Sequence, residues 1–180
     1  MKKSFVISML VVISLLFAGC DSDSIKADKE NVNIQADSEV DKTNMDEVIS
    51  DYIIRYVNVL HKPTEKQFEE HRIYGIEEKA DRITVYLFSI FDGYSFSDGY
   101  FKNLAYSTRY VVIELEKKNG QFEVVNYKDS VVSEDVKKMF PTEYAEKALN
   151  EKPKDLHDAI KSKVELWLKS QGRMEKTEGS

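Results

Sequence analysis

The side chains that most often carry out chemistry in proteins are few in this chain of 180 residues, and they lie far apart. The three histidines are His61, His71 and His157, and none has a second histidine at the short helical spacing that brings two imidazoles to one metal ion. The sequence also lacks the Gly-x-Ser-x-Gly and Ser-x-x-Lys patterns of serine nucleophiles. We therefore expect no enzyme, no metal site and no catalytic residue.

His71 has charged residues on both sides in the sequence, and these affect its protonation. It follows Glu69 and Glu70 and precedes Arg72 in a predicted strand. Carboxylates beside an imidazole favour its charged form, so this group is placed to titrate near neutral pH. A histidine on the surface of a strand, with carboxylates beside it, is the ordinary interpretation and the one we expect.

Cys20 is the single cysteine of the chain and follows a short apolar segment. Residues 1–3 are basic, residues 5–17 are apolar but too short for a permanent membrane helix, and Ala18-Gly19 is a pair of small residues. This order is typical of an export signal. A cysteine directly after the small pair resembles the bacterial lipobox, which implies that its thiol receives a diacylglycerol lipid and that residues 1–19 are removed.

The lipobox match has one departure and two alternatives. Where the usual pattern has Leu, Val or Ile, this chain has Phe17. An ordinary secretory signal that happens to precede a cysteine, or an uncleaved membrane anchor, would explain the same segment. Lipidation at Cys20 is favoured because a lone exposed thiol is an oxidation liability in an exported protein. We expect a protein anchored by this lipid on the extracytoplasmic face of the cell membrane, with no other cofactor.

The chain is acidic, with 26 basic residues, 32 acidic residues and a formal net charge of -6. Removal of residues 1–19 takes away Lys2 and Lys3 but no carboxylate, which leaves 24 basic residues against 32 acidic ones and a net charge of -8. Nucleic-acid binding needs a basic surface that displaces counterions from phosphate. We therefore expect no nucleic-acid partner, and we expect the acyl chains to attach the protein to the membrane.

Composition divides the rest of the chain into a tether, one domain and a tail. Residues 20–43 are polar and predict a disordered tether. A single globular domain is expected over residues 44–173, before a disordered tail over 174–180. The domain begins with a predicted helix, because Asn44 and Glu47 have the spacing of a capping box. Its apolar stripe is predicted to be Ile49, Tyr52, Ile53, Tyr56, Val59 and Leu60.

Runs of β-branched and aromatic residues predict a sheet in the middle of the chain. The predicted strands cover residues 68–77, 83–91, 107–116 and 121–127. The second run is apolar on both faces, which indicates a central strand. Asn119-Gly120 is typical of a type I′ turn, so the last two strands are expected to form a hairpin and the sheet to be antiparallel.

Helical patterns return after the sheet. The predicted helices are a short one capped by Ser133, a second over residues 142–150, and a last one from Pro153 to Gly172. The expected fold class is α+β: an N-terminal helix, a four-stranded antiparallel meander sheet and C-terminal helices packed on the sheet, with the helices covering one sheet face.

The segment 92–101 joins the second and third predicted strands and is rich in aromatic rings. A loop that contacts a partner would explain them, because rings give a large rigid contact area at a small cost in entropy. The candidate contact residues are Asp92, Tyr94, Phe96, Asp98, Tyr100 and Phe101. A long hairpin connection whose rings fold back on the core would explain the same residues, and both interpretations stay open.

Several segments resemble small lipoproteins of Firmicutes and the extracytoplasmic tail domain of some clostridial membrane metallopeptidases of the β-lactam-sensor type. These segments are residues 136–141 with Tyr144, residues 168–173, the strand at 83–91 and the hairpin at 116–120. The resemblance covers roughly residues 46–173 and includes neither the peptidase motif nor the penicillin-acylating serine motif. It implies an accessory domain that senses a signal or contacts another protein.

The expected function is that of a lipid-anchored module that binds or senses an envelope protein or peptide. An immunity or exclusion lipoprotein, which blocks an incoming toxin, phage or conjugation machine, would suit the small size, acidity and tether equally. A hydrolase is disfavoured because no catalytic constellation is recognisable.

Replacement of Cys20 by alanine tests the anchor. We expect Cys20→Ala to abolish incorporation of labelled fatty acid and removal of the signal, because the acylated thiol is the group that the processing depends on. Labelling and membrane fractionation measure both effects, and Phe17→Leu, which restores the usual lipobox, is the matched control. Unchanged processing and membrane association of Cys20→Ala would contradict lipidation.

Overall fold

The computed structural model of the chain describes residues 34–151 and 153–172. The predicted signal segment, Cys20, the first part of the predicted tether and the predicted tail lie outside these ranges. No helix within them is both long and apolar enough to cross a membrane. The elements are α1 (Ile34–Asn58), β1 (Lys66–Lys79), β2 (Arg82–Ser97), β3 (Tyr100–Lys118), β4 (Gln121–Ser130), α2 (Val136–Met139), α3 (Thr142–Asn150) and α4 (Lys154–Ser170).

The strands form one antiparallel sheet in the order β1-β2-β3-β4, and this confirms the predicted α+β fold with a meander sheet. Asn119-Gly120 forms the predicted tight turn between β3 and β4. Asp98-Gly99 forms a similar turn between β2 and β3, and all four of these residues have positive φ angles between 53° and 82°. Such angles belong to type I′ turns, whose twist matches that of the flanking strands.

Helices cover both faces of the sheet, so the prediction that they cover one face is wrong. The side chains of β2 alternate between the two faces, and both sets are apolar. Those packed with α1 include Val85, Leu87 and Phe91, and those packed with the C-terminal helices include Tyr86, Phe88 and Ile90. A strand with apolar residues on both faces needs packing on each face, because uncovered apolar side chains would stay exposed to water.

α1 starts at Ile34, before the predicted start at Asn44. Its buried stripe consists of Met45, Ile49, Ile53 and Val57, which recur at steps of four and pack on the sheet. Only part of the predicted stripe is therefore correct, since Tyr56, Val59 and Leu60 are exposed. The last two of these lie beyond the end of the helix at Asn58.

The C-terminal helices pack close to the sheet. Tyr144 of α3 lies directly over Gly75 of β1, where a Cβ atom would overlap the tyrosine ring. A glycine is therefore required for this approach. Ser133 does not cap a helix as predicted: it opens a short 3-10 turn, Ser133–Asp135, which has no side-chain cap and leads directly into α2.

The aromatic segment at residues 92–101 is the end of the β2–β3 hairpin rather than a loop. Phe101 is 1% exposed and stacks on Trp167 of α4 with ring centroids 4.9 Å apart. Tyr94 and Phe96 pack against the same cluster. Tyr100 remains 41% exposed beside the turn. Three of the four rings therefore fold onto the core, and Tyr100 is the ring that stays available at the surface.

Truncation of single rings distinguishes the buried environment of Phe101 from the exposed environment of Tyr100. We expect Phe101→Ala to lower the free energy of unfolding by about 3–5 kcal/mol, because it leaves a cavity between the hairpin and α4. Tyr100→Ser is the matched control and should change it by less than about 0.5 kcal/mol. Urea unfolding measures both values, and equal losses in the two variants would contradict the packing described here.

Candidate functional site

A groove with a volume of about 710 Å³ opens along β1, between α1 and α4. We call it the β1 groove. β1 is an edge strand of the sheet, so one side of its backbone pairs with no other strand of the described residues. The residues of β1 that line the groove are 66–71. The helix walls include Asp46, Glu47, Ser50 and Asp51 of α1 and Lys163, Leu166 and Trp167 of α4.

Glu69 is a buried carboxylate at the base of the groove, with 1% of its surface exposed. Its two oxygens accept hydrogen bonds from the hydroxyls of Ser50 on α1 and Ser89 on β2, each at 2.6 Å. A buried carboxylate is tolerated when its lone pairs are satisfied and a positive charge lies close. Glu69 therefore links α1 to two strands of the sheet through one charged group.

His71 supplies the positive charge. Its Nδ1 donates to the Glu69 carboxylate at 3.2 Å, and its Nε2 lies 3.8 Å from Asp46 Oδ1. Burial by itself lowers the pKa of His71, but the carboxylates of Asp46 and Glu69 outweigh this and raise the pKa to about 9. The imidazole is thus charged at neutral pH and is held between two carboxylates.

The expectation that His71 lies on the strand surface is wrong. Its side chain is 8% exposed, because α1 covers this face of β1. The two sequence neighbours Glu70 and Arg72 point to the other face, where Arg72 pairs with Glu151 and Asp155. Of these three charged neighbours, Glu69 alone shares the face of His71, as the two-residue period of a strand requires.

Lys163 fastens α4 to the outer side of β1. Its ammonium group donates to the backbone carbonyl of Glu69 at 3.0 Å and pairs with the Glu70 carboxylate at 2.6 Å. The Glu69 carbonyl therefore points away from β2 and into the groove. Next to Lys163, Leu166 is 67% exposed and Trp167 packs edge-on against Phe68. The α4 wall of the groove is thus largely apolar, whereas the α1 wall is acidic.

The hydrogen bonds of this arrangement do not prepare either serine to act as a nucleophile. The hydroxyls of Ser50 and Ser89 donate to Glu69, and a charged His71 has no lone pair with which to accept a proton from a hydroxyl. A serine nucleophile needs such a base. In the described ranges, no group of His, Cys, Asp and Glu residues has an arrangement that could hold a metal ion.

None of the residues proposed from the sequence as a contact loop lines the groove, although Tyr94, Phe96 and Phe101 pack against its lining residues Phe68 and Trp167. Asp92 is buried on the sheet face opposite α1, and burial raises the pKa of its carboxyl group. The hydroxyl of Tyr94 lies 3.5 Å from the Asp92 carboxylate. Asp98 is exposed at the hairpin turn, and its pKa is lowered by the ammonium group of Lys102. The remaining histidines are separate, with His61 stacked on Phe91 and His157 on Tyr106.

Sequence reasoning missed Asp46, Ser50, Glu69 and Lys163 as members of one site. One local signal was present: Glu69 and His71 stand two residues apart in a strand, so they share a strand face. Their partners on α1 and α4 are distant in the chain, and no spacing rule connects them.

Comparison with known proteins identifies no relative: no family model, curated protein or solved structure matches this chain. The resemblance to Firmicutes lipoproteins and to the tail domain of clostridial metallopeptidases therefore stays a prediction.

The raised pKa of His71 predicts a pH-dependent stability. The unfolded chain releases this proton near pH 6.5 and the folded protein near pH 9, so the stabilising contribution is complete below 6.5 and is lost as pH rises through 9. A shift of this size corresponds to a loss on the order of 3 kcal/mol. Urea unfolding between pH 6 and pH 10 measures it.

His71→Gln should be less stable at pH 6 and should show no such loss between pH 6.5 and 9. The matched control is His157→Gln, which changes a histidine on α4 outside this network and should keep the loss of the unchanged protein. A pH profile of His71→Gln that parallels the unchanged protein would rule out His71 as its origin.

Proposed function

We propose that this protein is a lipid-anchored extracytoplasmic module whose β1 groove binds a segment of an envelope protein or peptide. The observation that carries the proposal is the groove itself, in which two helix walls from opposite faces of the sheet meet at an unpaired strand edge. Its volume of about 710 Å³ lies in the usual range of ligand-binding clefts.

The groove is preorganised, which favours binding. Glu69 ties α1 to the sheet, and Lys163 ties α4 to β1. These bonds fix the distance between the two walls before any partner arrives. A preorganised site loses little conformational entropy on binding, so more of the contact energy appears as affinity.

The anchor at Cys20 and the acidity of the domain agree with this role. A short tether keeps the domain near the outer face of the membrane, where envelope proteins and exported peptides are the accessible partners. A net charge of -8 after signal removal favours basic partners through electrostatic attraction.

Site-specific cross-linking in cells tests the proposal. A photo-reactive residue at position 51, on the exposed α1 wall, should form an adduct with one envelope protein or peptide. The matched control is position 146, which is exposed on α3 and does not line the groove. Mass spectrometry of the adduct identifies the partner and separates sensing from an immunity or exclusion role. Adducts of equal yield and identity at both positions, or none at position 51, would contradict the proposal.

A further inference from the structure

The edge of β1 has backbone groups directed into the groove. In an antiparallel strand, the N–H and C=O of one residue point the same way, and successive residues alternate between the two sides. The carbonyl of Glu69 points outward, because it accepts a hydrogen bond from Lys163. The pairing of β1 with β2 is regular from Lys66 to Ile73, so the backbone groups of Gln67 and His71 also point outward.

The outward backbone groups of Gln67 and His71 form a template for one more strand, and the Glu69 carbonyl between them is held by Lys163. Within residues 34–151 and 153–172, β1 has β2 as its one neighbour in the sheet. Residues 66–71 line the groove, and six residues of extended chain span roughly 20 Å. Unpaired strand edges bind extended peptides through main-chain hydrogen bonds, and pockets on either side select alternate side chains.

The α1 wall carries negative charge that the protein does not neutralise. Glu47 and Asp51 are exposed, and neither forms an ion pair within the described part of the chain. They stand one helical turn apart on the same side of α1. Lys163 does not compensate for them, because it is paired with Glu70 on the α4 side.

The α4 wall offers apolar contacts, in contrast to the acidic α1 wall. Leu166 is exposed, and the rings of Trp167 and Phe68 lie beside it. An added strand places successive side chains on opposite faces of the sheet. One set therefore meets the acidic α1 wall, and the other set meets the apolar α4 wall.

We propose that the β1 groove binds an extended peptide of alternating basic and apolar residues, which adds to the edge of β1 as a fifth strand. Its lysine or arginine side chains lie against Glu47 and Asp51, and its apolar side chains lie against Leu166 and Trp167. This inference rests on the proposed function, because it names the class of partner that the groove receives.

Trp167 makes the inference directly testable, because it is the only tryptophan of the chain and it lines the groove. The probe is a blocked synthetic hexapeptide of alternating lysine and valine, added to the purified full-length protein in detergent at low salt. We expect saturable quenching or a shift of the Trp167 emission, together with slower amide exchange at Gln67 and His71.

Comparison peptides separate the contributions of charge, sequence order and backbone. A glutamate–valine hexapeptide should bind at least about tenfold more weakly, because it opposes the acidic wall. The lysine–valine peptide with alternate amides N-methylated should also be weaker, because methylation removes the donors to the strand edge. Equal binding of the N-methylated peptide, or of spermidine, which carries charge without a peptide backbone, would overturn strand addition. Equal binding of the glutamate–valine peptide would overturn the basic preference.

Charge variants locate the site. Glu47→Lys with Asp51→Lys should weaken the lysine–valine peptide at least about tenfold, and the neutral pair Glu47→Gln with Asp51→Asn should weaken it less. The matched control is Glu146→Lys with Glu165→Lys, which makes the same change in net charge at exposed positions outside the groove. Equal weakening in both lysine pairs would mean that net charge, and not the groove, attracts the peptide.

The outcome also separates this inference from the proposed function. A cross-link from position 51 to an envelope partner, with no binding of the lysine–valine peptide, would leave the groove as a binding site and overturn the identity of its occupant. The absence of both would overturn the two together.

Discussion

The arrangement of this domain depends on one constraint, the apolar character of β2 on both of its faces. Val85 and Leu87 require a cover on one side of the sheet, and Tyr86 and Phe88 require a cover on the other. α1 supplies the first cover and the C-terminal helices the second. Because both covers extend beside β1, the edge of this strand lies between two helix walls, and the β1 groove is a consequence of how the core is buried.

The groove remains open because polar groups, and not apolar packing, occupy its base. The Glu69 carboxylate is held by two hydroxyls and by the charged His71. These three contacts replace the hydrogen bonds to water that the carboxylate would lose on burial. The same charges keep Asp46 oriented on the α1 wall. A buried charged network of this kind contributes geometry more dependably than it contributes stability.

Most of the fold was predictable because its signals are local. The alternation of β2, the Asn119-Gly120 turn and the spacing of the α4 apolar residues each depend on a few neighbouring positions. The errors came where tertiary contacts outweigh local pattern. The α1 stripe includes Met45 and Val57 but excludes Tyr56, because the face that meets the sheet is decided by the sheet. The aromatic segment became strand, because Phe101 stacks on a helix more than sixty residues away.

By itself, the sequence determined the α+β class, the order of the elements, the meander of the sheet and the absence of recognisable catalytic motifs, since all of these follow from periodicity and local chemistry. Only the tertiary structure decided that α1 and the C-terminal helices lie on opposite faces, that His71 is buried, and that Asp46, Glu69 and Lys163 belong to one groove. The physical reason is that a strand pattern fixes which face a side chain occupies, whereas the partner on that face comes from a distant part of the chain and is chosen by how both faces of the sheet are buried.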